Sequence, residues 1–160
     1  MRIRNATACD LDAIAAVEAE CFPAAEAATR EVFEDRLAVY PDHFWLLEDN
    51  GALVGFVNGM VTDESVIRDA MFENASLHNH KGAWQAIFGV DTIPSYRRRG
   101  MAAMLMRHVA AEAKGQGRKG CILTCKEHLL RYYGRLGYEN EGISGSVHGG
   151  AVWYNMRLTF

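Results

Sequence analysis

Two hydrophobic periods alternate along the chain, and together they predict the order of its elements. Arg2–Thr7 alternates apolar and polar positions as a first strand. From Asp10 to Cys21, Leu11, Ile14, Ala15 and Val17 recur at helical spacing with acidic residues between them, and Phe22-Pro23 ends that helix because proline disfavours helix in the residue before it. Helix resumes over roughly Glu26–Tyr40, with Val32, Phe33 and Leu37 on one face, and Pro41-Asp42 stops it. His43–Glu48 and Leu53–Thr62 are apolar β-prone runs around Asp49-Asn50-Gly51, a hairpin signal. A short helix is predicted from Asp63 to about Met71, then a polar irregular stretch to Gly82 and a strand over Ala83–Thr92. Met101–Lys114 carries Ala102, Leu105, Met106, Val109 and Ala113 on one stripe, the strongest helical signal in the chain, and Gly115-Gln116-Gly117 ends it. Cys121–Cys125 is a short strand, His128–Leu136 a short helix, and Tyr138–Phe160 two further strands around Gly149-Gly150. The order predicts a mixed, mostly antiparallel α/β sheet. Within it, strand Ala83–Thr92, helix Met101–Lys114 and strand Cys121–Cys125 form one βαβ unit whose two strands run parallel.

Composition narrows this picture. The 160 residues fit one domain spanning residues 1–160, with 49% hydrophobic and 23% charged side chains, no repeat and no low-complexity linker. Seventeen basic against twenty acidic residues leave a formal charge of −3, so no global positive field draws nucleic acid or an anionic membrane. No apolar run has the length of a membrane span, and the first residues lack a signal-peptide core. Cys9, Cys21, Cys121 and Cys125 contain no Cys-x-x-Cys pair, which is expected of reduced thiols in a cytoplasm. A monomer or homodimer is expected.

Chemistry concentrates where the strand before Pro94 feeds the long helix, in Pro94-Ser95-Tyr96-Arg97-Arg98-Arg99-Gly100-Met101-Ala102. The first turn of a helix leaves backbone N–H groups unpartnered and carries about half a positive charge. Gly100 allows close approach of a ligand to the backbone and Ala102 keeps the next turn small, so the junction suits a phosphate or pyrophosphate; otherwise it is a solvated basic loop. Neither the Gly-x-x-x-x-Gly-Lys-Ser/Thr loop nor the Gly-x-Gly-x-x-Gly dinucleotide fingerprint is present.

Arg97-x-x-Gly100-x-Ala102 resembles the Arg/Gln-x-x-Gly-x-Gly/Ala signature of the GCN5-related N-acetyltransferases, and Leu130-Arg131-Tyr132-Tyr133-Gly134-Arg135-Leu136-Gly137-Tyr138 is similar to the same family's tyrosine helix. The resemblance covers essentially the whole chain. It implies a single-domain fold in which a central parallel strand pair opens to a coenzyme A cleft, and an enzyme that transfers acetyl from acetyl-CoA to an amine. It places Val90, Asp91 and Thr92 along the pantetheine arm and Arg97, Arg98, Arg99, Gly100, Met101, Ala102 and Ala103 around the pyrophosphate. Arg135 also lies at the cofactor, and Tyr133 donates a proton to the departing thiolate.

Cys21-Phe22-Pro23-Ala24-Ala25-Glu26-Ala27-Ala28-Thr29 and Thr124-Cys125-Lys126-Glu127 are similar to the arylalkylamine branch of that family, which implies a small primary amine as acceptor. That branch relays the amine's proton through a His-x-His pair, and Ala86 and Phe88 stand at the matching positions, so the general base is not identified. Phe22, Pro23, Glu26, His148 and Trp153 are the acceptor-site candidates. Glu26 either attracts an ammonium group or is a solvated helix carboxylate, and His148 borders the site or is an exposed turn residue. His78-Asn79-His80 has no accompanying ligand cluster, so no metal is expected. Cys121 and Cys125 share strand parity and read as buried thiols, which favours direct attack in a ternary complex over a covalent acetyl-cysteine. Two further readings stand beside the small-amine enzyme: a protein or peptide N-acetyltransferase, and a non-catalytic acyl-CoA-binding module.

Overall fold

A computed structural model describes residues 1–160. Nine strands and five helices follow one another as β1 (Arg2–Asn5), α1 (Leu11–Cys21), α2 (Arg30–Val39), β2 (Phe44–Asp49), β3 (Ala52–Asn58), β4 (Val61–Thr62), α3 (Asp69–Glu73), β5 (Trp84–Ile87), β6 (Gly89–Thr92), α4 (Met101–Gly115), β7 (Gly120–Cys125), α5 (Leu130–Arg135), β8 (Glu139–Ile143) and β9 (Tyr154–Thr159). The β2–β3 hairpin turns at Asn50 (φ 50°) and Gly51 (φ 80°), two left-handed residues whose twist matches the flanking strands.

Two sheets share one curved layer. One has the strand order β1-β2-β3-β6, the other β4-β5-β7-β9-β8. The strand expected over Ala83–Thr92 is divided at Phe88 into β5 and β6. β6 pairs antiparallel with β3, and β5 pairs antiparallel with β4 and parallel with β7. The division has a local cause, because the register places Ala86, Ile87 and Phe88 opposite only Gly59 and Met60. This bulge turns the chain so that β6 follows β3 while β7 continues beside β9 through Thr124 and Cys125. β6 and the C-terminal end of β7 therefore part, and the gap faces the carboxyl ends of the parallel pair.

The two sheet faces carry different cores. Ile14, Phe33, Leu37, Tyr40, Phe44, Phe56, Ala86 and Ile122 pack beneath α1 and α2. Trp45, Leu47, Val57, Leu105, Val109, Leu123, Tyr133 and Tyr138 pack beneath α4 and α5. Phe56 and Val57 on β3 face opposite sides, the period-two alternation expected of a strand covered on both faces.

Several boundaries differ from the sequence pattern. The helix expected from Glu26 begins only at Arg30, because the Thr29 hydroxyl accepts from the Val32 amide at 3.3 Å as its cap and the Ala28 amide donates to buried Glu18 at 2.9 Å. The helix expected at Asp63–Met71 spans Asp69–Glu73, and the β8–β9 connection runs from 144 to 153 rather than as a tight turn at Gly149-Gly150.

Gly59 is the tightest point of the bulge, since a Cβ there would run into the Ala86 carbonyl, backbone that has no room to yield. Gly59→Ala is expected to destabilise the fold by about 3 kcal/mol or more, seen as a lowered urea midpoint.

Candidate functional site

Two cavities flank the gap between β6 and β7, and Phe22, at the end of α1, lines both. The first, about 420 Å³, runs from β6 to the start of α4. Its wall includes Val90, Thr92, Arg97, Arg98, Gly100, Met101, Ala102, Ala103 and Tyr133. Of the residues expected at the cofactor, Asp91, Arg99 and Arg135 do not line it. Asp91 alternates with Val90 and Thr92 along β6 and is fully buried on the other side. Arg99 stacks its guanidinium over the Tyr96 ring at 4.7 Å, and Arg135 is exposed at the end of α5.

Hydrogen bonds hold the loop before α4 in shape: the Tyr96 hydroxyl donates to Asp49 at 2.6 Å and Arg97 Nε to the Thr92 carbonyl at 2.9 Å. Arg98 (φ 61°) and Gly100 (φ 78°) are both left-handed, and this double reversal turns the chain into the helix. No side chain caps α4 and no acidic residue sits in its first turn, so its first amides are free. A Cβ added at Gly100 meets nothing within 4 Å, so open space lies over those amides. Free amides, a partial positive charge, open space and neighbouring arginines fit a pyrophosphate.

Tyr133 sits where this cleft meets the second core, 8% exposed, its ring edge-on to Tyr132 at 5.1 Å and to Tyr138 at 6.0 Å. Its hydroxyl has no hydrogen bond within the protein, and unlike those of Tyr40 and Tyr138 it is not sealed in the core. Burial, reinforced by Tyr132 and Cys125, pushes its phenol well above the ordinary tyrosine range.

The second cavity, about 430 Å³, lies across the sheet beneath α1, α2 and the 144–153 loop. Phe22, Glu26, His148 and Trp153 line it as expected, but Pro23 does not: it is exposed, and its carbonyl accepts from the Glu26 and Ala27 amides at 2.9 Å. Glu26 is already ion-paired, its carboxylate oxygens 2.8 and 2.9 Å from Lys126 Nζ. His148 Nε2 bonds the Glu26 carbonyl at 2.9 Å, and since a carbonyl only accepts, that nitrogen carries the proton. The Trp153 indole donates to the His148 carbonyl at 2.8 Å, and Asp69 accepts from the Ser146 hydroxyl and from the Val147 amide at 3.0 Å. The His148–Glu26 bond ties the 23–29 loop to the 144–153 loop across the cavity, and the Asp69 bonds tie the 144–153 loop to α3. Ala86 and Phe88 both face this side; Ala86 is fully buried, and Phe88 forms wall.

No motif singles out three further residues of this wall, Glu18, Arg36 and Asn58. Arg36 is 4% exposed, donates to Asn58 Oδ1 and the Phe72 carbonyl at 2.8 Å each, and lies 5.1 Å from the Phe88 ring centroid. Glu18 is 6% exposed. Its signal in the sequence is positional: an acid seven residues from Leu11 and four from Ile14 shares the apolar stripe of α1.

Cys121, Cys125 and His78 take structural places, and His80 is exposed. Burial pushes Cys121 up to about 12 and Cys125 up to about 11, so neither is a ready nucleophile. His78 Nδ1 accepts from the Val61 amide at 3.0 Å, and its ring packs on Tyr40 and His43; burial lowers its pKa to about 4. No group of three or more His, Cys, Asp or Glu side chains converges as a metal site.

A sheet parted beside an uncapped helix start, with a tyrosine at the meeting point and a cavity on each side, is the architecture of an acyl-CoA-dependent acyltransferase. Residues 11–138 match the model of the acetyltransferase (GNAT) family, and the chain belongs to that family. It is accordingly an acyltransferase whose cosubstrate is acetyl-CoA. Solved structures share the fold at low identity. A GphF GNAT-like decarboxylase in complex with isobutyryl-CoA is 23% identical, with TM-score 0.84 over 99% of both chains. The loading GNATL domain of CurA from Lyngbya majuscula is 15% identical, with TM-score 0.85 over 99% of this chain and 96% of that one. The ribosomal-protein-S18-alanine N-acetyltransferase from Escherichia coli is 17% identical, with TM-score 0.72 over 99% and 92%. No helix is long and apolar enough to cross a membrane.

Proposed function

We propose that the protein acetylates a small primary amine held in the 430 Å³ cavity, by direct attack on acetyl-CoA lying in the cleft across the gap. The observation that carries this reading is the cavity wall: it holds a buried carboxylate, Glu18, with no cation in a salt bridge to it, under two loops tied together by the His148–Glu26 bond. A buried carboxylate attracts an ammonium group strongly, because little water screens it. The tied loops favour a compact acceptor over the terminus of a folded polypeptide. In the cleft, Val90 and Thr92 border the pantetheine arm, the first turn of α4 holds the pyrophosphate, and Tyr133 protonates the departing thiolate.

A second reading has its own support. The GNAT-like decarboxylase and the loading GNATL domain superpose better than the ribosomal-protein acetyltransferase, and the cavity here is rich in aromatic wall (Phe22, Phe72, Phe88, Trp153) with Thr124 and His148 among its polar groups. Such a wall suits loss of CO2 from a carboxyacyl thioester such as malonyl-CoA, since the carboxylate is poorly hydrated there.

One assay separates the readings. Thiol release from acetyl-CoA is followed with a panel of small amines and N-terminal peptides, and conversion of malonyl-CoA to acetyl-CoA is followed without an acceptor. Thiol release that depends on a small amine is the expected result. Release with peptides alone moves the acceptor to a polypeptide, and acceptor-independent formation of acetyl-CoA establishes decarboxylation. CoA binding with none of these leaves a binding module.

A further inference from the structure

We propose that the Glu18–Asp91 carboxyl pair, with Glu18 lining the acceptor cavity and Asp91 buried behind it, is the general base that removes the proton of the bound ammonium group. This rests on the small-amine reading above. The two residues come from separate elements, Glu18 from α1 and Asp91 from β6, and meet over Gly89: a Cβ there would lie 3.2 Å from Asp91 Oδ1 and 3.7 Å from Glu18 Oε1. Asp91 is fully buried, and neither of its oxygens accepts a hydrogen bond from any N–H or hydroxyl group of the protein. Glu18 Oε2 accepts the Ala28 amide at 2.9 Å, and Oε1 has no amide or hydroxyl donor either. Two buried carboxyls left without other donors satisfy one another only by sharing a proton.

The surroundings assign that proton. Burial comes first and the Glu18 charge second in pushing the Asp91 carboxyl well above the carboxylate range, with Arg36 opposing, so Asp91 is the neutral partner and donates to Glu18. Arg36 lies near the pair without bonding to it, its Nη atoms being spent on Asn58 and the Phe72 carbonyl, so Glu18 has no ion-pair partner. Glu18 is the member of the pair that lines the cavity. Cys21 and Tyr133 are further titratable neighbours of Asp91, and the Cys21 thiol bonds the Thr92 carbonyl at 3.4 Å.

The reaction balances as follows. One ammonium N–H bond breaks, its proton going to Glu18 and its electron pair staying on nitrogen. That pair forms the C–N bond to the thioester carbon. When the adduct collapses, the C–S electrons leave on sulfur, which takes the Tyr133 proton, and a second proton from nitrogen returns through solvent to the tyrosine. Ammonium and acetyl thioester become amide, thiol and one proton, which the carboxyl pair holds until solvent takes it.

The test measures kcat/KM with primary amines of graded basicity for the wild type, Glu18→Gln, Glu18→Asp and Asp91→Asn, with CoA affinity by calorimetry reporting that each variant is folded. Glu18→Gln is expected to lose roughly 10²-fold or more with strongly basic amines and little with amines that are largely neutral at the assay pH. Glu18→Asp recovers part of the loss, the KM for acetyl-CoA holds, and Asp91→Asn shows the same dependence on basicity more weakly. Should Glu18→Gln fail to bind CoA, Asp91→Asn decides by the same criterion. Losses equal for all amines, or absent, overturn the base and leave the small-amine reading standing. A wild type that releases no thiol with any amine overturns both.

Discussion

A Tyr133→Phe enzyme is expected to turn over roughly 10²–10⁴-fold more slowly than the wild type, with a much smaller change in the KM for acetyl-CoA. The substitution removes one hydroxyl and almost no volume. Because that hydroxyl has no hydrogen bond within the protein, the variant should unfold within a few degrees of the wild type. The raised pKa of the buried phenol has a definite consequence. It keeps its proton throughout the neutral range and gives it up only to a strong base, such as a thiolate released into the same poorly hydrated space. The pH profile of kcat should therefore show no descending limb from this group below about pH 10. Tyr132, half-buried and stacked edge-on to Tyr133, is the matched control, and Tyr132→Phe should keep most activity. If the two variants lose activity equally, the proton donor is not Tyr133; full activity in Tyr133→Phe leaves water as the donor.

The second large effect concerns the cofactor. Gly100→Val is expected to weaken CoA binding about 100-fold, close to 2.7 kcal/mol. Two causes combine. The residue holds φ 78°, which costs an L-residue about 1–2 kcal/mol and a β-branched one more. Its new side chain also enters the open space above the free first amides of α4, where a pyrophosphate would sit. Since a Cβ at this point touches no protein atom, steric conflict appears only with ligand bound. Calorimetry distinguishes the effects, and a folded Gly100→Val protein with wild-type CoA affinity would remove the pyrophosphate from this helix. Gly100→Ala, with the same backbone strain and less bulk, should fall between.

Most elements, and the loop that opens α4, were legible in the sequence because they depend on short-range chemistry. The α4 stripe, the Asn50-Gly51 turn and the Arg97-x-x-Gly100-x-Ala102 junction each act over a few residues, and each appears where its pattern lies. The parallel pairing of the strands flanking α4 followed from topology in the same way. Phe22, Glu26, His148 and Trp153, more than 120 residues apart at the extremes, line one cavity, and it was the family resemblance rather than local pattern that pointed to them.

Tertiary structure decided what depends on partners distant in sequence. Ala83–Thr92 reads as one strand, and only the two-against-three register opposite Gly59 and Met60 breaks it and opens the gap between β6 and β7. Glu26 reads as a free carboxylate, yet Lys126, one hundred residues on, neutralises it. Glu18 reads as one more acid on an amphipathic helix, and Asp91 as one residue of a cofactor strand. Their burial against each other pushes the Asp91 carboxyl well above the carboxylate range, because the desolvation that sets a carboxyl's protonation is a property of the packed interior and not of the chain.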